Sequence, residues 1–358
     1  MRAMQVFLFI GGVSLCALLT FIAMRKPPAI PAIRLPDPGG KRPIGTTLVF
    51  LNDASRKRPI AAQVWYPRKP GPCGKPAPYF PFPEWEKPRE FASVRTHGRE
   101  GSEPAAGRWP VIICSPGWDG GSFENTTLCE TLASAGFVVL ALNHPGGSPL
   151  VKTPGGAIVT NENLERFDLS TEGSSAAFFR AAEREIDFRS GDVRFVIASL
   201  PAWNAGDLAG GIFRGKLDAD HVGVLGYSFG GAVAAEVCRT DPRVKAGVNL
   251  DGNLFGKSRR SGSPRPFLFL TDNLPPPTES ELRSADPAAR RNAAFLDEGF
   301  RDYEYWREKS GAEILRIAGA AHSDFTDAAL LTGPSESLGR INSRAAAFFE
   351  KTLREGRR

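Results

Sequence analysis

The sequence has little with which to hold a metal or a nucleotide. Its 358 residues include four histidines (His97, His144, His221 and His322), and no two stand at His-Glu-x-x-His or His-x-His spacing. A protein-built zinc site needs clustered nitrogen and sulfur donors, so no metal is expected. The five cysteines, Cys16, Cys73, Cys114, Cys129 and Cys238, form no Cys-x-x-Cys. They are too few and too scattered for a disulfide framework, and Cys114, Cys129 and Cys238 read as small core residues. Phosphate-cradling loops of the G-x-x-x-x-G-K-[ST] or G-x-G-x-x-G kind are missing, and no cofactor is expected. Lys and Arg outnumber Asp and Glu by 45 to 39, a net charge of +6. That excess is small and spread along the chain, without the basic blocks of a nucleic-acid binder.

Hydrophobic residues make up 42% and charged ones 23%, the balance of a globular protein. One segment departs from it. From Ala3 to Met24 no residue is charged, and the run is long enough to cross a bilayer, which takes about 20 apolar residues. Arg25-Lys26-Pro27-Pro28 follows at once, so residues 1–26 read as a signal anchor or a signal peptide. The run ends without an A-x-A cleavage site, which favours the anchor. Arg25, Lys26, Arg34, Lys41 and Arg42 lie after the span against Arg2 before it, and counting positive charges keeps the domain cytoplasmic. Export is what such segments usually serve, so the protein is expected to be membrane-anchored by a single pass, or secreted or periplasmic.

Residues 27–44 are rich in Pro and Gly and read as a linker, and residues 45–355 as one catalytic domain. Thr46–Asn52 and Ile60–Tyr66 flank the turn-like DASRKR and predict an antiparallel hairpin. Residues 68–108, with their Pro, Gly and aromatic residues, read as an irregular inserted surface loop. Thereafter short apolar runs (WPVIICS, FVVLALN, HVGVLGY, VKAGVNL, RPFLFLT, AEILRIA) alternate with helical patterns, among them Arg184–Leu200 and Leu338–Leu353. Runs without polar alternation suit parallel strands buried on both faces. The fold class is therefore α/β: a mostly parallel, doubly wound sheet with helices on both faces and its site at the carboxyl ends of the strands.

Gly226-Tyr227-Ser228-Phe229-Gly230-Gly231 follows one such strand and opens a helix of small residues. A G-x-S-x-G in that setting is a nucleophile elbow of the α/β-hydrolase kind, although the spacing alone is weak. Ser228 then needs a base, an acid and an oxyanion hole. His322, after the last strand, stands in the Ser, acid, His order of that fold. His144 ends a strand on the same edge but precedes Ser228, and is the weaker candidate. Asp251 and Asp272 end successive strands, and either can orient an imidazole. Phe229, after the nucleophile, and Trp118, in the loop Ser115-Pro116-Gly117-Trp118, supply the oxyanion amides, with Gly117 letting the chain bend.

The ordered pieces QVWYP, WPVIICSPGWDG, LASAGFVVLALNHPG, DVRFVIASL, GYSFGG, AGVNLDGNLF and HSDF resemble the platelet-activating-factor acetylhydrolase (plasma type) family of α/β-hydrolases and its bacterial dienelactone-hydrolase-like relatives. The resemblance implies Ser228 as nucleophile, Asp251 as triad acid, His322 as base, and Trp118 and Phe229 as oxyanion donors. It further implies a serine carboxylic-ester hydrolase acting on short or oxidised acyl esters of phospholipid type, with a small ester or lipid as substrate and the membrane as partner of the N-terminal segment. A general carboxylesterase or polyester hydrolase with the same triad is the alternative, and an inactive hydrolase fold used for binding is a third reading. Dienelactone hydrolases use a cysteine nucleophile, so Ser228 argues against that reaction.

Overall fold

The computed structural model describes residues 33–354 except 86, 154, 166 and 168–170. The predicted hairpin is present as β1 (Ile44–Asp53) and β2 (Arg58–Pro67), in antiparallel register from Ile44 opposite Pro67 to Asp53 opposite Arg58. Six strands then run parallel to one another: β5 (Trp109–Ser115), β6 (Val138–Asn143), β9 (Leu217–Tyr227), β10 (Val244–Leu250), β11 (Phe267–Thr271) and β12 (Glu313–Arg316). With β3 (Pro76–Pro78) and β4 (Arg95–Glu100), the sheet order is β12-β11-β10-β9-β5-β6-β2-β1-β4-β3. A separate short pair joins β7 (Leu150–Lys152) to β8 (Ile158–Thr160).

Alternate side chains of the central strands enter two separate cores, as pleating requires. Val111 and Ile113 of β5 face one side, with α2 (Glu172–Ala205), α3 (Phe229–Thr240) and α5 (Pro287–Ser310) packed on it. Ile112 and Cys114 face the other, against α1 (Thr126–Ala135) and α6 (Glu336–Phe349). A four-residue helix, α4 (Glu279–Leu282), precedes α5. The sheet is thus mixed but mostly parallel and covered on both faces, an arrangement of the α/β-hydrolase type. Cys114, Cys129 and Cys238 are buried in these cores.

Residues 68–108 depart from the irregular surface loop expected of them. They supply β3 and β4, and β4 extends the sheet by pairing in parallel with β1. Tyr79, Phe80, Phe82 and Phe91 are buried, with Tyr79 stacked on Phe91 at 4.3 Å and Phe80 edge-on to Phe123 at 5.2 Å. Aromatic burial here overrides a local sequence full of chain breakers. The described part of the predicted linker is irregular, and it lies against the end of α1. There Gly40 N donates to Ser134 Oγ (3.1 Å) and Arg42 N to Ser134 O (3.2 Å). Residues 1–26 lie outside the described residues, and among the described ones no helix is long and apolar enough to cross a membrane.

Candidate active site

The apolar strand β9 ends at Tyr227 and α3 begins at Phe229, leaving Ser228 alone to make the turn at φ 51° and ψ −119°. Such a conformation costs a non-glycine residue about 1–3 kcal/mol and persists only where the surroundings enforce it. Here Ser228 N donates to Leu250 O (2.8 Å) and Gly231 N to Ser228 O (2.9 Å). The turn also needs bare neighbours. A Cβ on Gly226 would lie 2.1 Å from Gly230 O, and one on Gly230 would lie 2.0 Å from Ser115 O. The glycines of the motif therefore answer to close backbone approach.

Asp251 follows β10, again at positive φ (55°), and its carboxylate meets His322 with Oδ2 2.6 Å from Nδ1. His322 Nε2 lies 3.2 Å from Ser228 Oγ. The imidazole rests against the Tyr227 ring, centroid to centroid 4.9 Å, and is half exposed at the mouth of the site. Asp272, the rival acid, also lines the cavity, but the carboxylate bonded to His322 is that of Asp251. The Asp272 main-chain N–H donates to Asp251 Oδ1 (2.9 Å), while its own carboxylate accepts from Leu274 N (3.2 Å). Burial and the neighbouring Asp251 push the Asp272 carboxyl above its usual pKa.

The loop Ser115-Pro116-Gly117-Trp118 leaves β5 beside the elbow. Trp118 packs edge-on to Phe229 at 4.8 Å. Among the described residues no protein acceptor takes the Trp118 or the Phe229 N–H; the latter is the first amide of α3, which has no partner within its helix. Gly117 is not in the left-handed region, and a Cβ there would lie 3.3 Å from the Tyr227 ring and 3.7 Å from Glu124 Oε2. The bend therefore does not demand glycine through φ, contrary to expectation.

Two residues that the sequence reading did not single out grip this loop. Arg189, fully buried on α2, donates from Nη1 to Gly117 O (2.8 Å) and from Nη2 to Trp118 O. Glu124 accepts from Gly117 N (3.0 Å), and burial raises its carboxyl pKa to about 7. No side-chain pattern in the sequence marks Arg189, because Ser190 and Asp192 are buried polar residues of the same helix.

His144, the weaker candidate for the base, is not among the residues that line the cavity. It is fully buried between Ser115 Oγ (3.0 Å from Nε2) and Asp192 Oδ2 (3.0 Å from Nδ1), where burial lowers its pKa. His97 pairs with Glu130 at 2.7 Å and His221 with Asp218 at 2.9 Å. Ser228, His322 and Asp251 instead line a cavity of about 350 Å³. Its walls are mainly aromatic and aliphatic, with Trp118, Phe178, Phe255, Phe295 and Tyr303 among them and Asn253 and Asn292 as polar points. No group of three or more His, Cys, Asp or Glu side chains suited to a metal ion occurs among the described residues.

The chain is similar to several known proteins. The chain is 23% identical over 298 residues to a platelet-activating factor acetylhydrolase of Cavia porcellus, a match covering 74% of this chain and 62% of that protein. It is 26% identical over 169 residues to a probable 1-alkyl-2-acetylglycerophosphocholine esterase of Arthroderma benhamiae, covering 44% of this chain and 36% of the relative. The chain thus spans less than two thirds of the length of these curated relatives. Among solved structures, a ferulic acid esterase from Streptomyces cinnamoneus superposes with a TM-score of 0.66 at 26% identity, covering 90% of this chain and 94% of that one. The family model for platelet-activating factor acetylhydrolase, isoform II, matches residues 89–341, from the inserted segment to α6, and the chain belongs to that family.

Proposed function

We propose that the protein is a serine carboxylic-ester hydrolase whose nucleophile is Ser228, with His322 as base, Asp251 as acid, and the Trp118 and Phe229 amides as oxyanion donors. The observation that carries this reading is the unbroken hydrogen-bonded chain Asp251–His322–Ser228 on the wall of an apolar cavity. Ser228 Oγ attacks the ester carbonyl while His322 Nε2 takes its proton, and Asp251 holds the ring and stabilises its charged form. The oxyanion accepts from the two main-chain N–H groups. Collapse expels the alcohol, which receives the proton from His322. A water then repeats the sequence on the acyl-enzyme and frees the acid.

The family and the apolar walls support short or oxidised acyl esters of phospholipid type as substrates. A general carboxylesterase is the second reading, favoured by the aromatic lining and by the likeness to a ferulic acid esterase. Residues 45–355 form the catalytic domain in this reading, and residues 1–26 tether it to a membrane or direct its export. A panel of p-nitrophenyl esters from acetyl to dodecanoyl, with an acetylated glycerophosphocholine and methyl ferulate, tests both. The first reading predicts the highest kcat/KM for the shortest chains and for the phospholipid, all lost in Ser228→Ala. A preference for methyl ferulate selects the second reading, and unchanged turnover in folded Ser228→Ala overturns both.

A further inference from the structure

The oxyanion loop is gripped from below by groups that never line the cavity. Arg189 is fully buried on α2, and its fork takes the carbonyls of Gly117 and Trp118, the two residues on either side of the peptide that carries the Trp118 N–H. The guanidinium lies 5.0 Å from the Phe229 ring centroid and 5.7 Å from that of Trp118, touching the side chains of both oxyanion donors. Its remaining Nε donates to Glu185 Oε2 (3.1 Å) one turn back on the helix. Room for it is made by Gly147, where a Cβ would lie 2.6 Å from the guanidinium. One turn further along α2, Asp192 accepts both arms of Arg58 (2.7 Å each) and holds His144, which in turn meets Ser115 Oγ at the root of the same loop. This second Ser–His–Asp array is sealed from solvent, so it acts as a strut and has no access to substrate.

We propose that Arg189 is a positioning residue for ester hydrolysis: by holding the Gly117 and Trp118 carbonyls it aims the Trp118 N–H at the oxyanion. The proposal rests on the hydrolase reading above. A main-chain donor has no side chain to mutate, and its direction depends on how its own peptide plane is fixed. A planar fork bonded to two successive carbonyls fixes that plane, whereas a lysine can offer only a point charge. Loosening the clamp should therefore weaken binding of the tetrahedral oxyanion and leave ground-state binding alone.

The test compares Arg189→Met, Arg189→Lys and Glu185→Gln in the full chain, with folding checked by circular dichroism. For each, kcat and KM are measured on p-nitrophenyl acetate, together with Ki for a trifluoromethyl ketone, which forms an oxyanion on Ser228. Loss of one oxyanion donor costs about 10²–10³ in kcat. Arg189→Met should fall in that range and Arg189→Lys by about tenfold or more, with KM nearly unchanged and Ki rising in step with the lost kcat/KM. Should the Met variant fail to fold, the Lys variant and Glu185→Gln, which frees one anchor of the guanidinium, decide the matter on the same readouts. Folded variants with wild-type kcat, or a loss confined to KM, overturn the clamp. A wild-type protein with no esterase activity and no reaction at Ser228 overturns the hydrolase reading instead.

Discussion

At the scale of single residues, much of the proposed site is legible in the sequence because chain order and strand ends constrain it. Ser228 announces itself by the glycines that its turn requires, and His322 by falling after the last strand. The acid was not legible from position alone, since Asp251 and Asp272 each end a strand on the same edge. Only the resemblance preferred Asp251. In the structure the two share one task unequally: the Asp251 carboxylate reaches His322, and Asp272 lends its main-chain N–H to that carboxylate. An Asp272→Asn change keeps that N–H. It should lower kcat by less than about tenfold, whereas Asp251→Asn, which disturbs the imidazole tautomer, should lower it by about 10²–10⁴. Steady-state kinetics on both folded variants checks this, and a severe loss confined to Asp272→Asn would move the acid to β11. Arg189 was not legible, because its partners are main-chain carbonyls some seventy positions away and leave no mark on side-chain pattern.

At the scale of elements, the parallel strands were readable as unbroken apolar runs, and the inserted segment was not. Residues such as Pro78-Tyr79-Phe80-Pro81 carry no period of two or 3.6, so their packing on Phe91, Phe123 and Asp327 gives them form. That junction is also where two buried acids sit. Asp327 accepts from Thr127 N (3.1 Å) and Tyr79 OH (3.0 Å), and burial lifts its pKa to about 7, as it does that of Glu124 nearby. Both folded-state values lie above the ordinary carboxyl values of 3.8 and 4.5, so the fold prefers these groups protonated. Stability is therefore highest while they are neutral and falls as pH rises from about 4.5 through about 7. His97 acts in the same direction, because its hydrogen bond to Glu130 raises its pKa; His144, lowered by burial, opposes. The melting temperature should be higher at pH 5.5 than at pH 8 by a few degrees, of the order expected for about 1 kcal/mol, and Glu124→Gln should narrow the gap. Calorimetry at the two pH values decides it; a Tm that climbs toward pH 8, or a gap indifferent to Glu124→Gln, would contradict the account.

At the scale of the whole molecule, a sheet covered on both faces brings side chains from the ends of β9 and β10 and from the loop after β12 to one edge. Three residues separated by 71 and 94 positions meet there because parallel strands put all their carboxyl ends on the same side. The claim that this edge is a serine hydrolase centre has one direct test. The full chain is treated with a fluorophosphonate, digested, and the modified peptide located by mass spectrometry. The account predicts a single adduct on Ser228, absent in Ser228→Ala and formed much more slowly in His322→Ala, with His144→Ala losing far less. No adduct on folded wild-type protein, or one that persists in Ser228→Ala, would contradict it.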